Sequence, residues 1–162
     1  MHNEMKIEFD AISTNEGFAR VAVAAFVSSM NPTMEELADI KTAVSEAVTN
    51  AIIHGYENLY GYGKHGDKVP AYETIHPGKV YMHCEIKGDT CYIVIQDKGK
   101  GMADVEKAME PLYTTRPEYN RSGMGFAFME AFMDDLEVIS EPGTGTLIKM
   151  QKKIGAGSWI EA

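Results

Sequence analysis

Apolar and polar residues alternate along two neighbouring stretches of the chain, residues 79–87 and 90–97. Such alternation predicts half-buried β-strands, and the two residues between them, Gly88 and Asp89, predict a hairpin turn. The register set by this turn places the apolar side chains on one face and the polar and aromatic ones on the other. The hairpin therefore has one face for a hydrophobic core and one for water or a partner.

Three more strands are predicted outside the hairpin. Residues 5–9 alternate in the same way, and residues 136–140 and 146–152 predict two closing strands. Residues 57–78 are rich in Gly, Tyr, Pro and His and have no clear period, which predicts an irregular insertion. The strands thus lie at both ends and in the middle of the chain.

Apolar residues at spacings of three and four predict a first helix after residue 13. Ser13 and Glu16 have the spacing of a capping box, in which each side chain satisfies a free backbone amide. The pair Asn31-Pro32 ends the helix, and Glu16 and Arg20 are expected on its solvent side. The expected core-facing residues are Phe18, Val21, Ala22, Ala25, Phe26 and Ser29.

A longer second helix is predicted from a second capping box, formed by Thr33 and Glu36. Gly55 is the expected end of this helix. A short helix is predicted over residues 104–109. The expected inner face of the second helix comprises Leu37, Ile40, Val44, Val48, Ala51 and Ile52.

The stretch RSGMGFAFMEAFMDDL, residues 121–136, predicts a last helix from about Gly123. Two glycines, Gly123 and Gly125, are an unusual start because glycine disfavours helix interiors. Free amides at a helix N-terminus attract anions, and missing side chains let phosphates approach the backbone. The residues expected to pack this helix on the core are Phe126, Met129, Phe132 and Met133.

These elements predict an α+β fold, a two-layer sandwich with helices on one face of a largely antiparallel sheet. The chain has 162 residues, 44% of them hydrophobic, which suits one core. One domain is therefore expected over residues 1–154, followed by a flexible tail over 155–162.

Composition narrows the classes of function. The formal net charge is -9, which argues against direct binding to nucleic acid. No signal-peptide pattern and no long apolar run is present in the sequence, so a cytoplasmic location without membrane contact is expected. Cys84 and Cys91 fall within predicted strands and are expected to be buried thiols.

Two motifs place polar groups beside apolar elements. Glu46, Asn50 and His54 are four residues apart and so lie along one side of the second helix. Asp97 ends an apolar strand and is followed at a spacing of two by Gly99 and by Gly101. Taken singly, the first motif is also typical of a solvated helix surface and the second of an ordinary turn.

The order of the motifs is more specific than any one of them. The segments EAVTNAIIHGY, DKGKGM, RSGMGF and GTGT follow one another along the chain. This set resembles the Bergerat (GHKL) ATP-binding fold of gyrase-type ATPases and histidine-kinase catalytic domains. It is more similar still to the small serine-kinase anti-sigma factors of spore-forming bacteria, over residues 1 to about 152 apart from 57–78.

The resemblance implies roles for residues of the first two motifs. Asn50 would bind ATP and offer its side-chain oxygen to Mg²⁺. Glu46 would orient or deprotonate the attacking hydroxyl. Asp97 would accept a hydrogen bond from the adenine amino group, and Gly99 and Gly101 would leave room for the base.

The resemblance also implies a phosphate-binding region later in the chain. Gly123 and Gly125 would form the second glycine box, and Thr146 would help close the adenine pocket. Residues 98–122 would form an ATP lid. The lid residues expected to contact phosphate or a partner are Thr114, Thr115, Arg116 and Arg121.

The function implied is that of a dimeric anti-sigma factor. It would bind an RNA polymerase sigma factor and use Mg-ATP to phosphorylate a serine of an anti-anti-sigma protein of the STAS type. Arg20 and Glu16 are expected partner contacts. Two alternatives stay open, a detached histidine-kinase-like catalytic domain and a nucleotide-sensing module without transfer.

Two features depart from the family pattern. The insertion 57–78 is longer than the connection expected there, and its His65 and His76 are weak evidence for a metal site. Asn120 stands where an acidic residue is expected. His54 is expected to cap the helix rather than to act as a base.

Overall fold

A computed structural model describes residues 1–56, 61–62, 68–69, 78–110 and 125–155. Several predictions fall outside these residues and stay predictions. They concern most of the insertion, the tail, Asn120 and the site residues Thr114, Thr115, Arg116, Arg121 and Gly123.

The strands in the described residues are β1 (His2–Asp10), β2 (Gly61–Tyr62), β3 (Lys68–Val69), β4 (Lys79–Lys87), β5 (Thr90–Asp97), β6 (Asp135–Glu141) and β7 (Gly145–Lys153). The fold is built on a five-stranded sheet in the order β1-β4-β5-β7-β6. Every neighbouring pair in this sheet is antiparallel. Two short strands of the insertion, β2 and β3, pair separately, where only irregular structure was expected.

The central hairpin has the predicted register, with Lys87 opposite Thr90 and Gly88 at a φ of 61°. Its apolar face is buried, while the other face is only partly covered. Both cysteines are free thiols of the buried face, and burial raises the pKa of each to about 12. The prediction of two buried thiols is confirmed.

Four helices are described: α1 (Thr14–Val27), α2 (Met34–Thr49), α3 (Val105–Ala108) and α4 (Gly125–Phe132). Residues of α1, α2 and α4 share one hydrophobic core with the apolar sheet face, which confirms the two-layer α+β prediction. None of the helices in the described residues has the length and apolar character needed to span a bilayer.

The capping box of α2 is confirmed by two hydrogen bonds. The Glu36 amide donates to Thr33 Oγ1 at 3.1 Å, and the Thr33 amide donates to Glu36 Oε2 at 2.8 Å. The other oxygen of Glu36 accepts from the Gly155 amide at 2.9 Å, which joins the start of α2 to the end of β7. The expected inner face is buried at Ile40, Val44, Val48, Ala51 and Ile52.

The prediction for α1 is wrong in two respects. Ser13 itself has helical backbone angles, and its side chain makes no capping bond. The buried face is Ala19, Val23 and Val27, and of the predicted residues Ala22 and Phe26 pack against this core while Phe18 and Val21 are 52% and 66% exposed. Because α1 carries apolar residues on more than one side, periodicity alone identified only part of the face that packs.

Candidate functional site

The polar stripe of α2 ends in a change of helix type. The α-helix stops at Thr49, and Asn50–Gly55 continue it as a π-helical turn. Such turns are rare and frequently occur at functional sites. Ala51, Ile52 and Gly55 of this turn are buried, so the core fixes the position of Asn50 at its start.

A cavity of about 400 Å³ lies beside this turn, within the range of small-molecule sites. It is lined by residues of the π-helical turn, the end of β5, the segment after β5, the start of α4 and β7. The predicted site residues among them are Asn50, Asp97, Gly101, Gly125 and Thr146. The others are His54, Gly55, Lys100, Met102, Ala103, Asp104, Lys107, Ala108, Glu110, Phe126 and Ile148.

Asp97 is a buried carboxylate at the edge of this cavity, only 5% exposed. Its Oδ1 accepts a hydrogen bond from the Gly99 amide at 2.9 Å. Burial raises the pKa of Asp97 to about 6, although backbone amides of Gly99 and Thr146 act in the opposite direction. Asp97 is therefore a buried acceptor that already receives hydrogen bonds from the backbone and lines the cavity.

Glycines surround Asp97 because a side chain would collide with its neighbours. A Cβ on Gly55 would lie 2.7 Å from the Asp97 carboxyl carbon, and one on Gly145 would lie 2.2 Å from the Asp97 carbonyl oxygen. A Cβ on Gly99 would lie 1.7 Å from the Gly55 carbonyl oxygen. Gly101 has a φ of 70°, and its Cβ would lie 1.9 Å from the Glu141 carbonyl oxygen.

These distances give the two glycines after β5 a structural role. A side chain at Gly99 or Gly101 would meet protein backbone before it met any ligand. The Lys100 amide between them donates to the Gly55 carbonyl at 2.7 Å. Gly99 thus lets the segment after β5 pack against the π-helical turn, and Gly101 lets the same segment pack against the end of β6. Their predicted role in leaving room for a base stays a prediction.

Gly125, Glu46 and Asn50 meet where α4 begins. A Cβ on Gly125 would lie 3.2 Å from Glu46 Oε2 and 3.4 Å from Asn50 Nδ2. The missing side chain therefore lets the N-terminus of α4 approach both polar groups of α2. Met129, one turn later, is fully buried and anchors α4 in the core.

Glu46 and Asn50 each have an unusual environment. Burial raises the pKa of Glu46, and the negative charge of Glu16 adds to this effect. The Asn50 Nδ2 atom is buried and has no hydrogen-bond partner among the described residues. Since buried polar groups are normally satisfied, Asn50 is prepared to bind a ligand.

Comparisons with known proteins decide the family. Residues 12–152 match the model of the histidine kinase-like ATPase domain. The chain is 50% identical to an anti-sigma F factor of Oceanobacillus iheyensis over 160 residues, 99% of each chain. It is 49% identical to the anti-sigma F factor of Bacillus subtilis over 154 residues, 95% of this chain and 94% of that protein. An anti-sigma F factor of Clostridium beijerinckii is 53% identical over 156 residues, 96% of this chain and 98% of that one.

The chain belongs to the anti-sigma F factor family of histidine kinase-like ATPase domains. The resemblance to GHKL anti-sigma factors, predicted from four motifs, is thereby confirmed. A crystal structure of the RsbU and RsbW domains of a Mycobacterium tuberculosis protein superimposes with a TM-score of 0.60 at 18% identity. The match covers 94% of this chain and 32% of that one, and it supports the fold.

Membership of this ATPase family implies that the protein binds ATP. Thr146 belongs to the wall of the cavity through a network that sequence reasoning missed. Its hydroxyl lies 2.8 Å from Ser140 Oγ, which also accepts from the Met102 amide at 2.8 Å. This network ties the segment after β5 to the closing strands β6 and β7.

Tyr56 is a second residue that sequence reasoning missed. Its hydroxyl donates to the Lys79 carbonyl and accepts from the Lys98 amide at 2.9 Å, which links the π-helical turn to the ends of β4 and β5. Burial raises the pKa of Tyr56. Its position directly after Gly55 was visible in the sequence, but nothing there indicated these partners.

The two predicted partner contacts lie away from the cavity, on α1. Arg20 is exposed, and its Nη1 lies 3.5 Å from Glu16 Oε1. Glu16 was expected to face solvent but lies partly buried between the helices, where the Ser45 hydroxyl donates to it. This contact occupies the carboxylate that was expected to cap α1.

Proposed function

We propose that this protein is an anti-sigma factor that binds a sporulation sigma factor of the sigma F type. In this proposal it also uses Mg-ATP to phosphorylate a serine of an anti-anti-sigma protein of the STAS type. The main support for the proposed kinase activity is that Glu46, Asn50 and Gly125 lie close together. They lie beside the cavity that Asp97 also lines.

Asn50 is the residue that we propose for Mg²⁺. Its side chain lines the cavity, and its amide oxygen is the kind of ligand that magnesium prefers, while the unpaired Nδ2 atom can donate to a phosphate oxygen. Magnesium bound with ATP would neutralise charge on the phosphates. The amides at the start of α4 would contact the same phosphates, because a helix N-terminus favours negative charge.

Glu46 is proposed to accept the proton of the attacking serine. Its raised pKa makes it a better base than an exposed glutamate, and it lies next to the first residue of α4. Phosphoryl transfer requires mainly positioning and charge stabilisation, so one oriented carboxylate and fixed amides are an adequate set.

Asp97 is proposed to determine which nucleotide base, adenine or guanine, the protein binds. A buried carboxylate can accept a hydrogen bond from the adenine amino group, whereas guanine presents a carbonyl oxygen at the corresponding position. The two acceptors would repel each other, and a desolvated carboxylate without a donor is costly. We therefore expect ATP to be preferred over GTP.

The lid and the partner surface complete the proposal. The segment 98–110, the first part of the predicted lid, already lines the cavity, and Thr114, Thr115, Arg116, Arg121 and Gly123 are proposed to add phosphate contacts. Arg20, with Glu16 beside it, is proposed as a partner contact in a homodimer. The net charge of -9 suits a sigma factor whose DNA-reading surface is basic.

Labelled ATP with separate serine and histidine acceptor proteins tests the proposal. We expect magnesium-dependent, acid-stable label on serine of the anti-anti-sigma protein. Acid-labile label on histidine would instead support a histidine-kinase-like domain, and ATP binding without transfer would support a nucleotide sensor. A pull-down of the sigma factor with and without Mg-ATP tests the anti-sigma part, and we expect capture to depend on nucleotide.

A further inference from the structure

Two histidines and two glutamates lie together on the outer face of the sheet, the face opposite the helices. We call His2 and Glu4 of β1 with His83 and Glu85 of β4 the His-Glu cluster. In the pairing of these strands, Glu4 lies directly opposite Glu85. Two like charges opposite each other destabilise a sheet, so this arrangement calls for a positive partner.

The distances within the His-Glu cluster are short. His2 Nε2 lies 2.8 Å from Glu85 Oε1, and His83 Nε2 lies 3.4 Å from Glu4 Oε2. One ligand atom from each of Glu4, His83 and Glu85 lies within 4.8 Å of the others. Two neighbouring strands therefore bring nitrogen and oxygen donors toward a common point.

The His83 side chain of this cluster has a polar atom that is not satisfied by a hydrogen bond. Its Nε2 atom is shielded from solvent and makes no hydrogen bond to any described residue. The neighbouring Glu4 oxygen is within ion-pair range but does not meet hydrogen-bond geometry. An unpaired, shielded imidazole nitrogen needs an explanation, and a metal ion is a suitable partner because imidazole is the commonest metal ligand in proteins.

Two lysines flank the cluster without filling it. Lys6 Nζ lies 3.6 Å from Glu4 Oε1, and Lys87 Nζ lies 3.7 Å from Glu85 Oε2. Each lysine approaches the glutamate oxygen that is not used by a histidine. Both lysine side chains are more than half exposed, so they can turn into solvent when a cation enters.

We propose that the His-Glu cluster is a binding site for a divalent transition-metal ion of the zinc type. Glu4, His83 and Glu85 would supply three ligands and His2 the fourth. Zinc accepts imidazole nitrogen and carboxylate oxygen in tetrahedral geometry, with ligands about 2.0–2.2 Å from the ion. Magnesium and calcium favour all-oxygen sites, which separates this site from that of Mg-ATP.

The ligands need only a small movement to close the site. Tetrahedral ligand atoms lie about 3.4 Å apart when each is about 2.1 Å from the metal. Side-chain rotation of exposed Glu4 and His2, near the start of the edge strand, can close the difference from 4.8 Å. The bound ion would join edge strand β1 to β4 and stabilise their pairing.

Zinc calorimetry with untagged protein, in excess magnesium and without nucleotide, tests the proposal. We expect one zinc ion per chain and a rise in the thermal midpoint with zinc. Co²⁺ should give the intense visible d–d absorption of a tetrahedral site without a thiolate charge-transfer band, because both cysteines lie on the other face of the sheet.

Variants locate the site. Loss of one outer-shell group typically costs a metal site about 10–100-fold in affinity, so His83→Gln with Glu85→Gln should cost at least about tenfold. The matched control His65→Gln with His76→Gln, in the insertion, should bind zinc like the parent. Circular dichroism checks that the first variant folds.

Three results would overturn the proposal. They are an absence of zinc binding by the parent, equal zinc binding by the His83/Glu85 variant, and loss of zinc binding in the insertion control. Zinc binding with the affinity of the parent by a folded His83/Glu85 variant would place the ion elsewhere. The nucleotide proposal does not depend on any of these results.

Discussion

At the scale of the residue, burial controls the chemistry of the site's two carboxylates. The pKa values of Glu46 and Asp97 are both raised chiefly by loss of solvent. The positions of both residues were predicted from motifs and resemblance. Their environments were not, because desolvation depends on neighbours distant in sequence, such as Gly55 beside Asp97 and Glu16 near Glu46.

Asp97 should make stability of the nucleotide-free protein depend on pH. The pKa of Asp97 is about 6 in the folded chain, against an ordinary value of 3.8 for an aspartate, so the folded state binds more protons than the unfolded state between these pH values. The contribution of the Asp97 carboxyl group to the free energy of unfolding is present in full below about pH 4, and it is lost as the pH rises through about 6. At about 1.4 kcal/mol per unit, the loss is about 3 kcal/mol.

Urea denaturation of the parent and of Asp97→Asn between pH 4 and 7 checks this prediction. Asparagine does not titrate in this range. The free energy of unfolding of the variant should therefore increase relative to that of the parent as the pH rises. The difference should approach about 3 kcal/mol near neutral pH. A difference that does not change with pH would contradict the assigned burial effect.

Asn50→Ala should remove magnesium-dependent ATP binding while the protein stays folded. The side chain contributes a buried amide that is not satisfied by the described residues, so its loss removes a ligand contact and no described hydrogen bond. Calorimetry with ATP, with and without magnesium, measures the effect. Asn3→Ala, at an exposed position, is the control and should bind like the parent; equal binding by both variants would exclude Asn50.

Glu46→Gln should keep ATP binding and lose most phosphoryl transfer, because glutamine cannot take the proton; general-base groups typically contribute about 10²–10⁴-fold. Glu16→Gln should instead shift the acid limb of the rate profile to lower pH, since the Glu16 charge raises the Glu46 pKa. Rates measured against pH separate the two effects. Transfer by Glu46→Gln at the parent rate would disprove its role, and Glu35→Gln, exposed on α2, serves as the control.

At the scale of the element, close backbone contacts shape the cavity. The sequence predicted α2, its capping box and the hairpin register, because these depend on local patterns. It did not predict the π-helical turn Asn50–Gly55, and it identified the inner face of α1 only at Ala22 and Phe26. One extra residue in a helical turn leaves no periodic trace, and the packing of α1 is decided by α2 and the sheet.

Gly99→Ala should destabilise the fold, because the new Cβ would lie 1.7 Å from the Gly55 carbonyl oxygen and separate the two segments. We expect a loss of about 2–4 kcal/mol in the free energy of unfolding. Gly17→Ala is the control, since its Cβ meets nothing closer than 3.9 Å on α1, and it should gain about 0.5–1 kcal/mol. Equal stability of the two variants in urea denaturation would contradict this reading of the glycine contacts.

At the scale of the whole molecule, the two faces of the sandwich have different uses. The proposed ATP cavity lies between the helices and the sheet, the exposed side of α1 carries Arg20 and the apolar residues Phe18 and Val21, and the outer sheet face carries the His-Glu cluster. The family and the fold followed from the order of motifs. The cluster did not, because its residues meet only through the register of β1 with β4.

The central claim is that ATP binds in the cavity between Asn50, Asp97 and Gly125 and that this binding depends on magnesium. Calorimetry of the purified protein with ATP and with GTP, each with and without magnesium, tests it most directly. The account predicts binding of Mg-ATP, weaker binding without magnesium, and GTP affinity lower by about tenfold or more, because an unpaired buried acceptor costs about 1–3 kcal/mol. Absence of binding by Mg-ATP, or equal affinity for both nucleotides, would contradict it.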